Sequence, residues 1–149
     1  MSASLPSSVQ ITNLLFHYAE LMDLGDFEAA AALFDNAELI LDRERDARTD
    51  AAGILSIWRS MVIVHPDGTP RTKHVTTNPI VEVDEALGTA TCRSYYTVLQ
   101  QLDDGPLVPI VAGRYHDRFE RVADIWRFTE RDYSMMDLVG DVSQHLRAR

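Results

Sequence analysis

Residues 71–100, RTKHVTTNPIVEVDEALGTATCRSYYTVLQ, decide the fold. Threonine, valine and tyrosine dominate the stretch, as they do in strands. The segment DEALG (Asp84–Gly88) supplies the turn between two such runs. The reading is an antiparallel hairpin of His74–Val83 with Thr89–Gln101. Downstream, LDDGPLVP (Leu102–Pro109) breaks the chain. Ile110–Val122 and Trp126–Met136 then form a second hairpin across VADI (Val122–Ile125).

Upstream the period changes from two to 3.6. Ile11, Leu14, Leu15, Tyr18 and Met22 recur at helical spacing and make one apolar stripe. Ser7 and Gln10 have the spacing of a capping box ahead of it. Leu24-Gly25-Asp26 stops this helix and starts a second in DFEAAAALF (Asp26–Phe34). Ala37–Leu41 reads as a short strand, and DRERDARTD (Asp42–Asp50) as a solvated connection. Ala51–Val64 reads as a third helix with Ile54, Ile57, Trp58 and Met61 on one side. HPDGTP (His65–Pro70) is a loop. Helices first and an antiparallel meander afterwards is an α+β pattern. The 149 residues, without repeats or low-complexity segments, are read as a single domain, 1–149.

The formal net charge is −9, and no cluster of lysines or arginines interrupts it. Phosphate backbones need a positive footprint, so nucleic acid is not an expected partner. The same acidity disfavours anionic lipid. No apolar run approaches the roughly 18 residues of a membrane helix. The stretch MSASLPSSVQ has neither a basic n-region nor an apolar h-region, so no signal peptide is expected. Cys92 stands alone and fits a reducing cytoplasm. A small, weakly polar molecule is the partner that fits best.

The strands do not alternate cleanly between polar and apolar. Arg93, Tyr95, Thr97 and Leu99 oppose Cys92, Ser94, Tyr96 and Val98, and neither set is wholly polar. Tyr115, Asp117 and Phe119 share one face, and Arg114, His116, Arg118 and Glu120 the other. Polar groups buried by a sheet must be satisfied, which points to a lined cavity or to a face packed on another subunit. In the latter case Trp126 and Phe128 would serve the interface.

Nucleotide-binding glycine loops and the G-x-S-x-G elbow are absent. None of His17, His65, His74, His116 and His145 pairs with another at metal-ligand spacing, and no metal or cofactor is expected. What remains is proton transfer. An imidazole titrates near neutral pH and works best when a carboxylate accepts its other N–H. His74 in its strand, Asp23 at the end of the first helix and Tyr18 five residues earlier form the candidate trio. Five residues is about 140° of helix rotation, so Tyr18 and Asp23 do not stack on one face.

The segments YAELMDLGDFEAAAALF, RTKHVTTNP and GRYHDRFERVADIWRFTER together resemble the SnoaL-like branch of the nuclear transport factor 2-like superfamily. That branch includes scytalone dehydratase, hexachlorocyclohexane dehydrochlorinase and bile-acid dehydratase. The resemblance covers roughly Val9 to Asp137. It implies a cone, in which a curved antiparallel sheet wraps a pocket closed by N-terminal helices. It further implies a His–Asp dyad, here His74 and Asp23, with Asn78 completing an H-x-x-x-N context. Tyr18 stands where the bile-acid enzyme has a tyrosine, and Arg131, five residues after Trp126, where the dehydrochlorinase has an arginine. Thr72 and Met135 are implied as pocket residues. Tyr95, Thr97, Val111 and Tyr115 are so assigned by strand parity as much as by match.

Departures mark the limits of the likeness. YYTVLQ has no second active-site histidine, and Gly113 and Tyr115 stand near the scytalone enzyme's serine and asparagine. Thr97 stands near the assisting aspartate of the bile-acid enzyme. The expectation is a cofactor-independent lyase of dehydratase type acting on a small, largely apolar cyclic substrate. The alternatives are a ketosteroid-type isomerase and a non-catalytic small-molecule binding module. The resemblance also implies a homodimer or homotrimer.

Overall fold

Helix α1 (Ser7–Leu24) buries Ile11, Leu15, Tyr18, Leu21 and Met22 along one side, the stripe that its period dictates. The computed structural model, which describes residues 5–148, begins this helix differently from the capping box. Pro6 occupies the N-cap without a side-chain cap, and Gln10 donates to the Leu5 carbonyl at 2.7 Å. Ser7 is already inside the helix, past the position from which a hydroxyl reaches a free N–H. The other end follows the sequence closely. Gly25 adopts φ +77°, and the N–H groups of Gly25 and Asp26 return to the carbonyls of Met22 and Leu21. This is a Schellman stop.

Asp26 then caps α2 (Phe27–Ala32) by accepting from the Ala29 N–H. Asp50 caps α3 (Ala51–Met61) in the same way, through the Gly53 N–H. No helix among the described residues is long and apolar enough to cross a membrane.

The strands are β1 (Glu38–Asp42), β2 (Ala47–Thr49), β3 (Thr72–Asp84), β4 (Thr89–Gln101), β5 (Leu107–Val122), β6 (Ile125–Asp132) and β7 (Leu138–Val139). They make one sheet in the order β2-β1-β6-β5-β4-β3, with β7 paired to β5. Three findings depart from the sequence reading. The charged stretch after β1 is not merely a connection, because it contains β2. Strand β1 runs parallel to β6, so the sheet is not a pure meander. Strand β6 ends at Asp132 rather than Met136, and further along β5 its place is taken by β7, through Val139 and Leu138 opposite Val111 and Ala112.

Irregularities in register occur between Thr77 and Ile80, at Val98–Leu99 and at Arg118–Phe119. Such bulges bend strands and sharpen their twist, and the result is a curved, unclosed sheet with the helices packed against one face. That α+β cone matches the expected fold class. Phe34 from the helical region packs on Phe128, and Phe119 on Phe128, with ring centroids 4.9 and 4.7 Å apart. Trp126 and Phe128 therefore lie in this chain's own core, which corrects their assignment to a subunit interface. Each fully buried aromatic side chain contributes about 1.5–3 kcal/mol.

Candidate active site

Asp23 closes the last turn of α1, and β3 passes directly beside it. Its carboxylate accepts from the Thr72 hydroxyl at 3.0 Å and from the His74 backbone N–H at 2.9 and 3.1 Å. It also accepts from the His74 ring at 2.6 Å, Nδ1 to Oδ1. A carboxylate in the last turn of a helix faces the negative end of the helix dipole, which is unfavourable. Three donors from β3 offset that placement. The two side chains are 9% and 8% exposed, so their contact is shielded from bulk water. Because an ionised carboxylate only accepts, Nδ1 is the donor in this bond, and in the neutral ring Nε2 then keeps its lone pair. That is the tautomer a general base requires.

Tyr18 packs beside the pair, its ring centroid 6.3 Å from that of His74 in an edge-on arrangement. Its hydroxyl accepts from Tyr133 at 3.1 Å. Burial raises the Tyr18 pKa, with Arg131 opposing, so the hydroxyl stays protonated at neutral pH. Arg131 lies 4.5 Å over the Tyr18 ring and 4.1 Å over Tyr115. Its guanidinium is fully buried and grips Asp117 with two bonds, at 2.7 and 2.9 Å. Burial works against the charge, but Asp117 holds the Arg131 pKa well above its ordinary value. The register dictates this pairing, because Asp117 and Arg131 are direct partners across β5 and β6.

The trio from the sequence is thus brought together, and the remaining candidates divide. Val111 and Tyr115 face the core, Tyr115 stacking on Tyr96 at 4.2 Å. Thr72 supports Asp23, as described. The Met135 carbonyl accepts from the Arg114 N–H at 2.9 Å, and its chain runs so close to β5 that only glycine fits at Gly113. Arg131 reaches the site only from behind Tyr18. Tyr95, Thr97 and Asn78 are not brought in. Buried residues of β4 are Ala90, Cys92, Ser94, Tyr96, Val98 and Gln100, so Tyr95, 56% exposed, and Thr97 point the other way. Asn78 is exposed at the β3 bulge with φ +43°. There the extra residue switches strand parity.

Sequence reasoning missed Tyr96, Val98 and Tyr133. Ser94 pairs with Tyr115 and Tyr96 with Gly113, so placing Tyr115 inside also places Ser94 and Tyr96 inside. Tyr133 follows directly on the end of β6 and reaches the site through its hydroxyl, which donates to Tyr18, so no strand period marks it. A groove of about 710 Å³ between α1 and β3 reaches the dyad from outside; Phe16, Leu24, Asp23, His74, Val75 and Thr76 are among its walls. No group of three or more His, Cys, Asp or Glu side chains among the described residues is placed to hold a metal ion.

A curved, mostly antiparallel sheet with helices packed against one face is the architecture of the nuclear transport factor 2-like class, to which this chain belongs. An ntf2-like protein with a cystatin-like fold from Novosphingobium aromaticivorans is similar to it with a TM-score of 0.70. The identity is 22%, over 87% of this chain and 82% of the other. A Mycobacterium tuberculosis protein of unknown function is similar at 23% identity and a TM-score of 0.67, over 89% and 73% of the two chains. Aln2 from a Streptomyces species is similar at 22% identity and a TM-score of 0.66, over 89% and 93%. No curated protein matches the chain significantly. A model of the SnoaL-like domain matches residues 3–132, and the chain belongs to the SnoaL-like family.

Proposed function

We propose that this protein is a cofactor-independent lyase of dehydratase type acting on a small, largely apolar cyclic substrate. The observation that carries the reading is the shielded 2.6 Å contact between His74 Nδ1 and Asp23 Oδ1. In the proposed reaction His74 Nε2 takes a proton from a carbon next to a carbonyl. The electrons of that C–H bond form the new carbon–carbon double bond, the bond to the β-hydroxyl breaks, and the hydroxyl leaves as water by taking back the proton held on His74 Nε2. Asp23 holds the ring and stabilises the imidazolium formed on the way. The Tyr18 hydroxyl donates to oxygen as charge develops there, where a fixed donor is most effective. The groove that reaches the dyad has apolar walls in Phe16, Leu24 and Val75, which supports a hydrocarbon ring there. Oligomerisation as a homodimer or homotrimer belongs to the same proposal, through the outer sheet face on which Tyr95 is exposed.

The test is conversion of hydroxylated cyclic ketones, 3-hydroxycyclohexanone first, to the conjugated enone, followed by ultraviolet absorbance. Turnover in the wild type that is lost in His74→Ala supports the reading. Equal turnover in both proteins sinks it. Conversion of cyclohex-3-enone, a β,γ-unsaturated ketone, to the conjugated enone without turnover of the hydroxyketone would make the enzyme an isomerase.

A further inference from the structure

Residues Val142–Arg147 cross the end of the sheet where β3 begins, as a strap. Its attachments are specific. The Ile63 N–H donates to the His145 carbonyl and the Arg147 N–H to the Met61 carbonyl, each at 2.8 Å. The Gln144 carbonyl accepts from Gln100 Nε2 at 2.9 Å and from His65 Nε2 at 3.1 Å. Its side-chain oxygen accepts from the Asp103 N–H at 3.0 Å. Gln100 is the cross-strand partner of Thr72, the residue that holds Asp23. The strap is therefore docked one strand away from the dyad.

Two polar atoms at this junction lack partners. His145 Nδ1 is buried without a hydrogen bond, although its own backbone N–H and carbonyl are engaged. Gln100 Oε1, on the amide that holds the strap, is buried and unpartnered too. Buried polar atoms are nearly always satisfied, so such a pair calls for a third group. The charged and titratable neighbours that act on the His145 ring are His74 from β3, His65 from the loop before it and Asp23 from α1; Asp103 lies 3.9 Å from His65. Desolvation by burial, then His74 and His65, lower the His145 pKa to about 4, with Asp23 opposing, so the ring is neutral at physiological pH. A neutral imidazole beside a base that becomes protonated is well suited to hold an uncharged polar group.

We infer that His145 is a ligand-holding residue of the dyad's site, its ring binding a hydroxyl group of the molecule that His74 and Asp23 engage. The inference rests on the proposed function for the molecule's class and adds which part of it the strap recognises. A hydroxyl both donates and accepts, so it satisfies either tautomer of the His145 ring and can donate to Gln100 Oε1. A ketone without a hydroxyl leaves the ring unpaired.

The experiment follows the histidine ring nitrogens of the full chain by NMR during titration with 3-hydroxycyclohexanone and, separately, with cyclohexanone. Both His74 and His145 should respond to the hydroxyketone, and His145 should not respond to cyclohexanone. His145→Phe should weaken hydroxyketone binding roughly tenfold and leave cyclohexanone unchanged, whereas His145→Gln, which keeps a hydrogen-bonding group, should stay within about threefold of wild type. If His145→Phe does not fold, the ring shifts and the glutamine variant decide. A response of His74 without His145 overturns the inference and leaves the proposed function standing. An equal response of His145 to both ketones overturns the hydroxyl assignment. Silence of both rings with both ketones overturns the inference and the proposed function together.

Discussion

Asp23 holds His74 at two points, through the backbone N–H and through the imidazole Nδ1. A side chain held by a single bond can still rotate about its Cα–Cβ axis. Here one carboxylate fixes both the strand position and the ring, so backbone and rotamer are set by the same group. Thr72 steadies that group from the side with its hydroxyl.

Asp23→Asn should lower kcat by roughly 10²–10⁴-fold, with a much smaller change in KM, because it removes the charge facing the imidazolium but not the walls of the site. Steady-state kinetics on a turned-over hydroxyketone check this. A comparable loss in KM alone would mean that Asp23 acts in binding. Thr72→Val, which removes one of the supporting bonds, should cost only about tenfold.

Arg131→Met should destabilise the fold by about 3–5 kcal/mol in urea denaturation, because Asp117 is then left as a buried charge without its partner. The double variant Arg131→Met/Asp117→Leu should recover most of that loss. Failure of the second substitution to rescue would mean that the aromatic stacking on Arg131, rather than its charge pairing, holds this region.

Gly25→Ala should cost about 1–2 kcal/mol from the left-handed backbone alone. An added Cβ would also stand 2.6 Å from the Gly68 carbonyl oxygen, in the loop that leads into β3. Relief of that contact moves α1 away from β3, so activity should fall further than stability explains. Parallel loss of both in proportion would count against this coupling.

Stability should decline as pH falls from about 6.5 towards 4. The His145 pKa is about 4 in the folded chain against 6.5 in the unfolded one. Between these values the unfolded chain binds more protons, so stability rises with pH across the window and is fully present above it. The contribution is at most about 3 kcal/mol. His145→Gln should flatten this part of the pH profile measured by urea denaturation. A profile unchanged by the substitution would refute the burial of a neutral ring.

How much of this was legible in the sequence depends on which force decided each feature. The long strands were readable because turn chemistry marks their ends, as DEALG does between β3 and β4. Asp23, His74 and Tyr18 stood out because few residue types can move a proton. The face of β4 was misread because both of its sides carry mixed residues, and cross-strand register, which alone fixes which side is in, is not local information. Asn78 was misread for a related reason, since a bulge reverses alternation without a distinct composition. Strands β2 and β7, of three and two residues, are too short to have a period. His145 lies in a segment with no periodicity, and only the docking of the strap brings it near the dyad.

The strand that bears His74 lies at the margin of the sheet. Unpaired backbone groups on such a margin invite another chain to extend the sheet, a first step towards aggregation. The interruption at Asn78, with φ +43°, is followed at once by Pro79, which has no N–H to offer an incoming strand. Exposed Lys73, Glu82 and Asp84 add charge along the same strand. The irregularity that displaced Asn78 from the site thus guards the strand against templated growth, and a variant that straightens it, such as deletion of Asn78, would trade a regular ladder for a sticky edge.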